Sequence, residues 1–482
     1  MPIDPDVRRL TLSCLLLGFV GPTPPRWLRA ALENGLGGVV LFGSNLGDGS
    51  DVRTLTDDLR AAAGRDLVLA TDEEGGDVTR LDTLHGSRSP GAAALGALDD
   101  PATTEEVYAA IGTRLAEAGI TLNLAPVGDV NIEPLNPVIG VRSFGSDAAT
   151  AARQVAAAVR GIQRGGTAAC VKHFPGHGAT RSDSHHEVAT LDRPREEIEK
   201  VEFEPFRAAI AAGTRAVMTG HLLAPALDPD RLATVSPAVT AALRDELGFG
   251  ATVVTDALEM RAVSETIGVV EGFVQALIAG ADAIETGALD YPELVEQLPR
   301  AVSDALADGR LSIERLRDAA RRTAELAVLG DATARFDAAV VDGAAARCVE
   351  VDGALPQLRA PLVVECRPPG GMASGELPWS LADRLAPLVP GTEALAVTDA
   401  ASAADVARRA AGRSLVVVVR DPGRHPWQAG AVAAAGRHPD SVLVDVGWPA
   451  PLDGSTPVVR SRGVAPALLE AAAALLAGGS SR

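Results

Sequence analysis

The chain has 482 residues, 47% of them hydrophobic and 22% charged, with a formal net charge of −19. That length suits one large domain of about 250–300 residues plus a smaller one, and the composition excludes the disordered class. A surface this acidic repels phosphate backbones and anionic lipids, which argues against nucleic-acid and membrane partners.

At the N-terminus, Arg8-Arg9 followed by the apolar run 10–20 has the outline of a secretory leader. However, Asp4 and Asp6 precede the run, Thr11, Ser13 and Gly18 interrupt it, and no small-x-small cleavage site follows. It reads as a buried first strand. No other run approaches the length of a membrane span. Cys14, Cys170, Cys348 and Cys366 are scattered without CxxC spacing, so they read as reduced and buried, as in a cytoplasmic protein.

Short apolar runs of β type then follow at 14–19, 38–42, 67–71, 122–126, 168–171, 216–219, 252–255 and 281–286. Helical patterns lie between several of them, at 104–118, 149–164, 195–212 and 236–246. Near-continuous apolar strands joined by helices imply a parallel sheet covered on both faces. Eight of them predict a (β/α)8 TIM barrel, with a doubly wound open sheet as the alternative. Polar residues at the strand ends favour the barrel: Asp72, Asn123, Lys172-His173, His221, Asp256 and Glu285. Barrel active sites are assembled from the carboxyl ends of several strands. A helix capped by Ser312 and stopped at Gly330 would close a 1–330 catalytic domain. Residues 331–356 read as a linker, and 357–482, with strands at 362–366, 394–398, 415–420, 442–446 and 458–459, as a small α/β domain.

Three segments carry chemistry. Gly250–Met260, GATVVTDALEM, delivers Asp256 to the end of a buried strand, either as a helix cap or as a rigidly held nucleophilic carboxylate. Lys172–Glu187, KHFPGHGATRSDSHHE, holds four of the eight histidines, and Asp183 beside His185 reads either as a polar surface loop or as a proton-transfer pair. A metal site is disfavoured there, because His173 and His177 flank Pro175-Gly176 and cannot share a helical face. Thr71–Leu81, TDEEGGDVTRL, ends a strand in Asp72, either a helix cap or a carboxylate suited to vicinal sugar hydroxyls, and its Gly75-Gly76 pair permits a tight turn.

With these motifs in order, the chain resembles glycoside hydrolase family 3, in its β-N-acetylglucosaminidase branch, over most of residues 10–330. The resemblance rests on DEEGG with Arg80, LNLAPVGDV (122–130), RSFG (142–145), KHFPGHG with DSH, MTGHL (218–222) and TDALEM (255–260). It implies a retaining exo-β-N-acetylglucosaminidase, without cofactor, acting on terminal β-linked N-acetylglucosamine in muropeptides or chitin oligosaccharides. By the resemblance Asp256 is the nucleophile, His185 the general acid/base and Asp183 its orienting partner. Asp72, Arg142, Lys172 and His173 hydrogen-bond the sugar, while Arg80 and His221 line or support the pocket. Alternatives are a phosphorolytic or broader β-glycosidase and, from another class, a non-catalytic sugar-binding relative. Two departures stand out. Asp77 occupies a position where the family often carries arginine, which predicts weaker contacts to an anionic leaving group. The C-terminal domain is short, and its loop 420–427 reads as a surface connection.

Overall fold

The computed structural model describes residues 3–46, 52–182, 188–288, 291–371, 373–403, 405–452 and 454–478. Eight strands, Leu15–Gly18, Gly38–Leu41, Val68–Thr71, Leu122–Asn123, Ala168–Phe174, Ala216–Thr219, Thr252–Thr255 and Ile284–Thr286, pair in chain order and all in parallel. The first also pairs with the eighth, and a bridge between Val254 and Ala283 joins the seventh to the eighth. The ring therefore closes, as the eight apolar runs predict. The apolar stretch 10–20 divides, however: Asp4 caps a helix Pro5–Ser13 and the strand begins only at Leu15.

Strand parity organises the interior. Successive side chains of a strand point to opposite faces. Leu15, Leu17, Val39, Leu69, Val217, Val253 and Ile284 face out into the core between sheet and helices. Leu16, Val40, Val68, Ala70, Leu122, Cys170, Ala216, Met218, Val254 and Ala283 fill the barrel. A packed interior leaves only the carboxyl end open to a ligand.

The covering helices start where their caps allow. Asp100 accepts from the amides of Ala102 and Thr103 and starts Pro101–Glu117; Asp147 starts Ala148–Arg164. The segment 195–212 is two helices, Arg195–Lys200 and Phe203–Ala211. Ser312 caps the last barrel helix as expected, but the helix ends at Ala324 rather than near Gly330. Residues 331–356 are not a structureless linker. Asp337 caps a helix, Ala338–Cys348, that buries Val341, Ala344, Ala345 and Cys348, and Glu350–Asp352 pairs antiparallel with Val458–Arg460. Those small apolar residues, read as linker composition, recur at helical spacing and pack as one helical face.

The second sheet has the order 350–352, 458–460, 441–445, 415–419, 362–366, 393–397, parallel except for its first pair. It sits against the carboxyl-end loops of the barrel. Asp77 of the barrel pairs with Arg420 at 2.8 Å and accepts from the Val464 amide at 2.9 Å. Among the described residues no helix is long and apolar enough to cross a membrane.

One buried carboxylate secures the seam between the seventh and eighth strands. Asp282 is fully buried, and its Oδ2 accepts from the Val253 amide at 2.9 Å and from Arg244 at 2.7 Å. Its Oδ1 accepts from Arg315 at 2.7 Å. Removing one member of a buried ion pair strands the other charges, which costs about 3–5 kcal/mol. Asp282→Ala is therefore expected to lower unfolding stability by about that amount, read from urea denaturation of the variant against the parent.

Candidate active site

The barrel parity continues past the strand ends and makes the floor of a cavity of about 240 Å³. One inward position beyond Ala70 lies Asp72, beyond Cys170 lies Lys172, beyond Val254 lies Asp256, and beyond Ala283 lies Glu285; all four line the cavity. Phe42 and Met218 reach it by the same register. Asn123 and His221 lie outside that set. Asn123 clamps the Glu73 backbone, accepting from its amide at 3.1 Å and donating to its carbonyl at 2.9 Å. His221 is fully buried behind the wall, with Nε2 donating to the Ala257 carbonyl at 3.0 Å and Nδ1 2.8 Å from the Thr234 hydroxyl. It supports the segment that follows Asp256 and does not line the pocket. His173 has the wrong parity, yet it lines the cavity because the fifth strand shifts register between Val171 and Phe174.

An ion network sets the polar wall. The Lys172 ammonium lies 2.6 Å from Asp72 and 2.8 Å from Glu74. Arg142, on a short 3-10 turn Gly140–Arg142, makes a two-pronged contact with Glu74 at 2.7 and 2.9 Å. Burial alone would raise the Glu74 pKa, but Arg142 and then Lys172 outweigh it and hold the carboxyl well below its ordinary range. Burial would likewise lower Lys172, but Asp72 and Glu74 hold it charged. Arg80 approaches Asp72 at 3.6 Å. Its turn is built by Glu73, which accepts from Thr79 and from the Arg80 and Leu81 amides at 2.8–3.0 Å. Gly76, at φ 61, is required there because a Cβ would lie 2.4 Å from the Gly91 Cα.

Asp129, buried at the end of the LNLAPVGDV motif, organises both nearby histidines. Its Oδ2 is 2.7 Å from His173 Nδ1, and its Oδ1 accepts from the His177 amide at 2.6 Å. The first contact makes Nδ1 the donor and leaves the other ring nitrogen of His173 for the cavity. His177 lines the cavity as well as shaping its turn; burial lowers its pKa to about 4, so its ring is neutral at neutral pH. Its Nδ1 lies 2.7 Å from the Thr180 hydroxyl, and Asn136 holds the Thr180 carbonyl at 3.0 Å. Asp183 and His185 lie outside the described residues.

Asp256 Oδ1 accepts from the Ala257 amide at 2.8 Å, and the Asp256 amide donates to the Thr219 carbonyl at 3.1 Å, so its backbone is tied to the neighbouring strand. Glu259 also lines the cavity, with its carboxylate packed against the Cα of Gly287. Among the described residues no group of three or more His, Cys, Asp or Glu is placed to hold a metal ion. The wall is completed from the second sheet: Ala373 lines the cavity and its carbonyl accepts from Arg80 at 2.9 Å. Sequence reasoning assigned no role to Glu74, Asp129, Glu259 or Glu285. For Glu285 the missing signal was strand parity; for Glu74 and Asp129 it was the partners, which come from distant loops.

Residues 26–326 match the glycosyl hydrolase family 3 N terminal domain. The chain belongs to glycosyl hydrolase family 3. It is 33% identical over 332 residues to Beta-hexosaminidase A of Pseudoalteromonas piscicida, covering 63% of this chain but 55% of that protein, so the match spans about half the relative's length. It is 35% identical over 299 residues to a Beta-hexosaminidase of Xylella fastidiosa (strain M12), covering 60% of this chain and 87% of that one. A solved glycoside hydrolase family 3 beta-N-acetylglucosaminidase from Paenibacillus sp. str. FPU-7 superposes with TM-score 0.89 at 32% identity, covering 98% of this chain and 96% of the other. That overlap includes the second sheet.

Glu285 gives this site a pH signature. Burial, then Asp72, Asp256 and Glu259, push its pKa well above the ordinary 4.5, with Lys172 opposing. The folded chain thus keeps a proton there that the unfolded chain loses above pH about 4.5, so this group costs stability progressively as pH rises. Glu285→Gln, neutral at every pH, is expected to show a flatter fall in thermal midpoint between pH 5 and pH 8 than the parent. Parallel curves would remove Glu285 as the source.

Proposed function

We propose that the chain is a retaining exo-β-N-acetylglucosaminidase releasing terminal β-linked N-acetylglucosamine from muropeptides or chitin oligosaccharides. The reading rests above all on Asp256, whose side chain enters a cavity of about 240 Å³ that Asp72, Arg142, Lys172 and His173 also line. That volume lies below the ~300–1,000 Å³ of pockets for drug-sized ligands, and a packed barrel closes its floor, so it suits one sugar residue at a chain end. Similarity to proteins named beta-hexosaminidase and beta-N-acetylglucosaminidase supports the substrate class.

In this reading Asp72 accepts from sugar hydroxyls while Lys172, Arg142 and the free nitrogen of His173 contact others; Arg80 and His221 hold the walls. The Asp256 carboxylate attacks the anomeric carbon as the bond to the leaving oxygen breaks, and His185 protonates that oxygen. Water then attacks the same carbon, giving its proton to His185, and Asp256 departs. Asp183 orients and tunes His185. Thr180, bonded to the cavity-lining His177, starts the chain toward 183–187 from beside the cavity. We assign the catalytic unit to residues 1–330; the small α/β unit, set at 357–482 by sequence, begins earlier, since Glu350–Asp352 is the edge strand of its sheet. The four buried, unpaired cysteines suit a cytoplasmic setting.

Asp256→Ala is expected to lower turnover of an aryl N-acetyl-β-glucosaminide by a factor on the order of 10⁴ or more; near-parental turnover would sink the mechanism. His185→Ala should slow a glycoside with a poor leaving group far more than one with an activated leaving group, and equal losses would remove His185 as the acid. Assays with added phosphate should yield free N-acetylglucosamine and no sugar 1-phosphate.

A further inference from the structure

Charge in the sugar cavity is divided between its two ends. Among the described residues five carboxyl groups and three cationic side chains line it. All three cations gather at one end: Lys172 against Asp72 and Glu74, Arg142 against Glu74, and Arg80 at 3.6 Å from Asp72. The other end, where the seventh and eighth strands finish, presents Asp256, Glu259 and Glu285.

Glu285 has no part in the mechanism above. The bridge between Val254 and Ala283 sets the register of the two strands, so Asp256 and Glu285, each two residues further on, stand side by side. Neighbouring strands lie about 4.8 Å apart. The Leu258 amide donates to the Glu285 carbonyl at 3.1 Å and keeps the chain beyond Asp256 against the eighth strand. Glu285 is 3% exposed, and its Oε2 is buried without a hydrogen-bond partner among the described residues. Leaving a buried polar atom unpaired costs free energy, and a ligand that brings the missing donor recovers it.

The charge decides which donor. Burial and the carboxylates around it keep the Glu285 proton in place well above the ordinary carboxylate range. That proton stands where this end of the cavity has no cation. A metal ion does not fit, because among the described residues no group of three or more His, Cys, Asp or Glu is placed to hold one. An ammonium group fits, since a buried carboxylate is tolerated when a counter-charge meets it directly. In a pyranose whose C1 faces Asp256, C2 is bonded to C1, so an amine on C2 comes within reach of the carboxyl beside Asp256.

We propose that the chain also cleaves terminal β-linked glucosamine, the deacetylated sugar, with Glu285 as the carboxylate that meets its 2-ammonium. The inference rests on the glycosidase reading above and widens its substrate class from acetamido sugars to cationic amino sugars. On binding, the Glu285 proton passes to solvent and the ammonium pairs with the carboxylate left behind. The bond at C1 then breaks as for the acetamido sugar, with Asp256 as nucleophile. Because binding releases a proton, the preference for the amino sugar strengthens as pH rises, until the amine itself loses its proton.

The test measures kcat/KM of the full chain on two aryl β-glycosides that differ only at C2, the glucosaminide and the N-acetylglucosaminide. The parent is expected to cleave both, with a glucosaminide-to-N-acetylglucosaminide ratio that rises from pH 5 to pH 7. Glu285→Gln, of nearly the same shape but unable to ionise, should lower that ratio about tenfold, equivalent to about 1.4 kcal/mol, and flatten its pH dependence. Each ratio is internal to one preparation, so a partly unfolded variant slows both reactions and leaves the ratio unmoved. A parent that cleaves only the N-acetylglucosaminide, or a ratio unchanged in Glu285→Gln, would overturn the inference while leaving the glycosidase reading intact. If neither glycoside is cleaved, the glycosidase reading itself fails and the inference with it.

Discussion

The buried contact between Lys172 and the two carboxylates of Asp72 and Glu74 is the interaction on which the site depends. It ties the end of the fifth strand to the end of the third, and through Arg142 to the loop between the fourth strand and the helix Ala148–Arg164. Charges removed from water are tolerated only when matched, and the pairs here are matched by geometry that also fixes where each donor points. A sugar arriving in the cavity meets groups already held in place, so little ordering entropy is left to lose on binding. Asp256, Glu259 and Glu285 line the same cavity as Asp72 and Glu74, so a cluster of carboxyl groups shares one small volume.

That cluster follows from how a barrel is filled. Inward positions deeper in each strand are apolar, and the inward position at or just past its carboxyl end is the first that a ligand can reach. Phe42, Asp72, Lys172, Met218, Asp256 and Glu285 are those positions. Catalytic and binding groups therefore inherit their precision from the hydrogen-bonded sheet beneath them. His173 is the exception, brought in by a shift of register, and Asp129 holds its ring in place.

The second sheet is part of the same active face. Arg80 donates to the Ala373 carbonyl, Asp77 holds Arg420, and Val78, Val138, Arg142 and Ala373 line both the sugar cavity and a neighbouring cavity bounded by Arg420, Asp421, Arg424 and His425. Asp77 illustrates how a charge can be misread one residue at a time. In the sequence it is an acidic residue next to a sugar-binding motif; in the fold it is a buried junction pin.

The order of apolar runs predicted eight buried parallel strands, because such a strand must be apolar throughout and each needs a helix to return; the polar residues at their ends favoured a barrel over an open sheet. Motif spacing likewise placed Asp72, Lys172 and Asp256 at strand ends, where strand parity delivers them; His173 was placed there too but reaches the cavity only through the register shift. Sequence also mistook 331–356 for a linker, since small apolar residues look alike in a loop and on a packed helix face. Tertiary structure alone decided which strand-end residues share the cavity, putting Glu285 in and His221 behind the wall. It alone supplied Glu74 to Lys172 and Arg142, and Asp129 to two histidines. The reason is physical: a strand's direction and parity are local properties, whereas the partner that neutralises a buried charge is chosen by whichever distant loop the fold brings within hydrogen-bond reach.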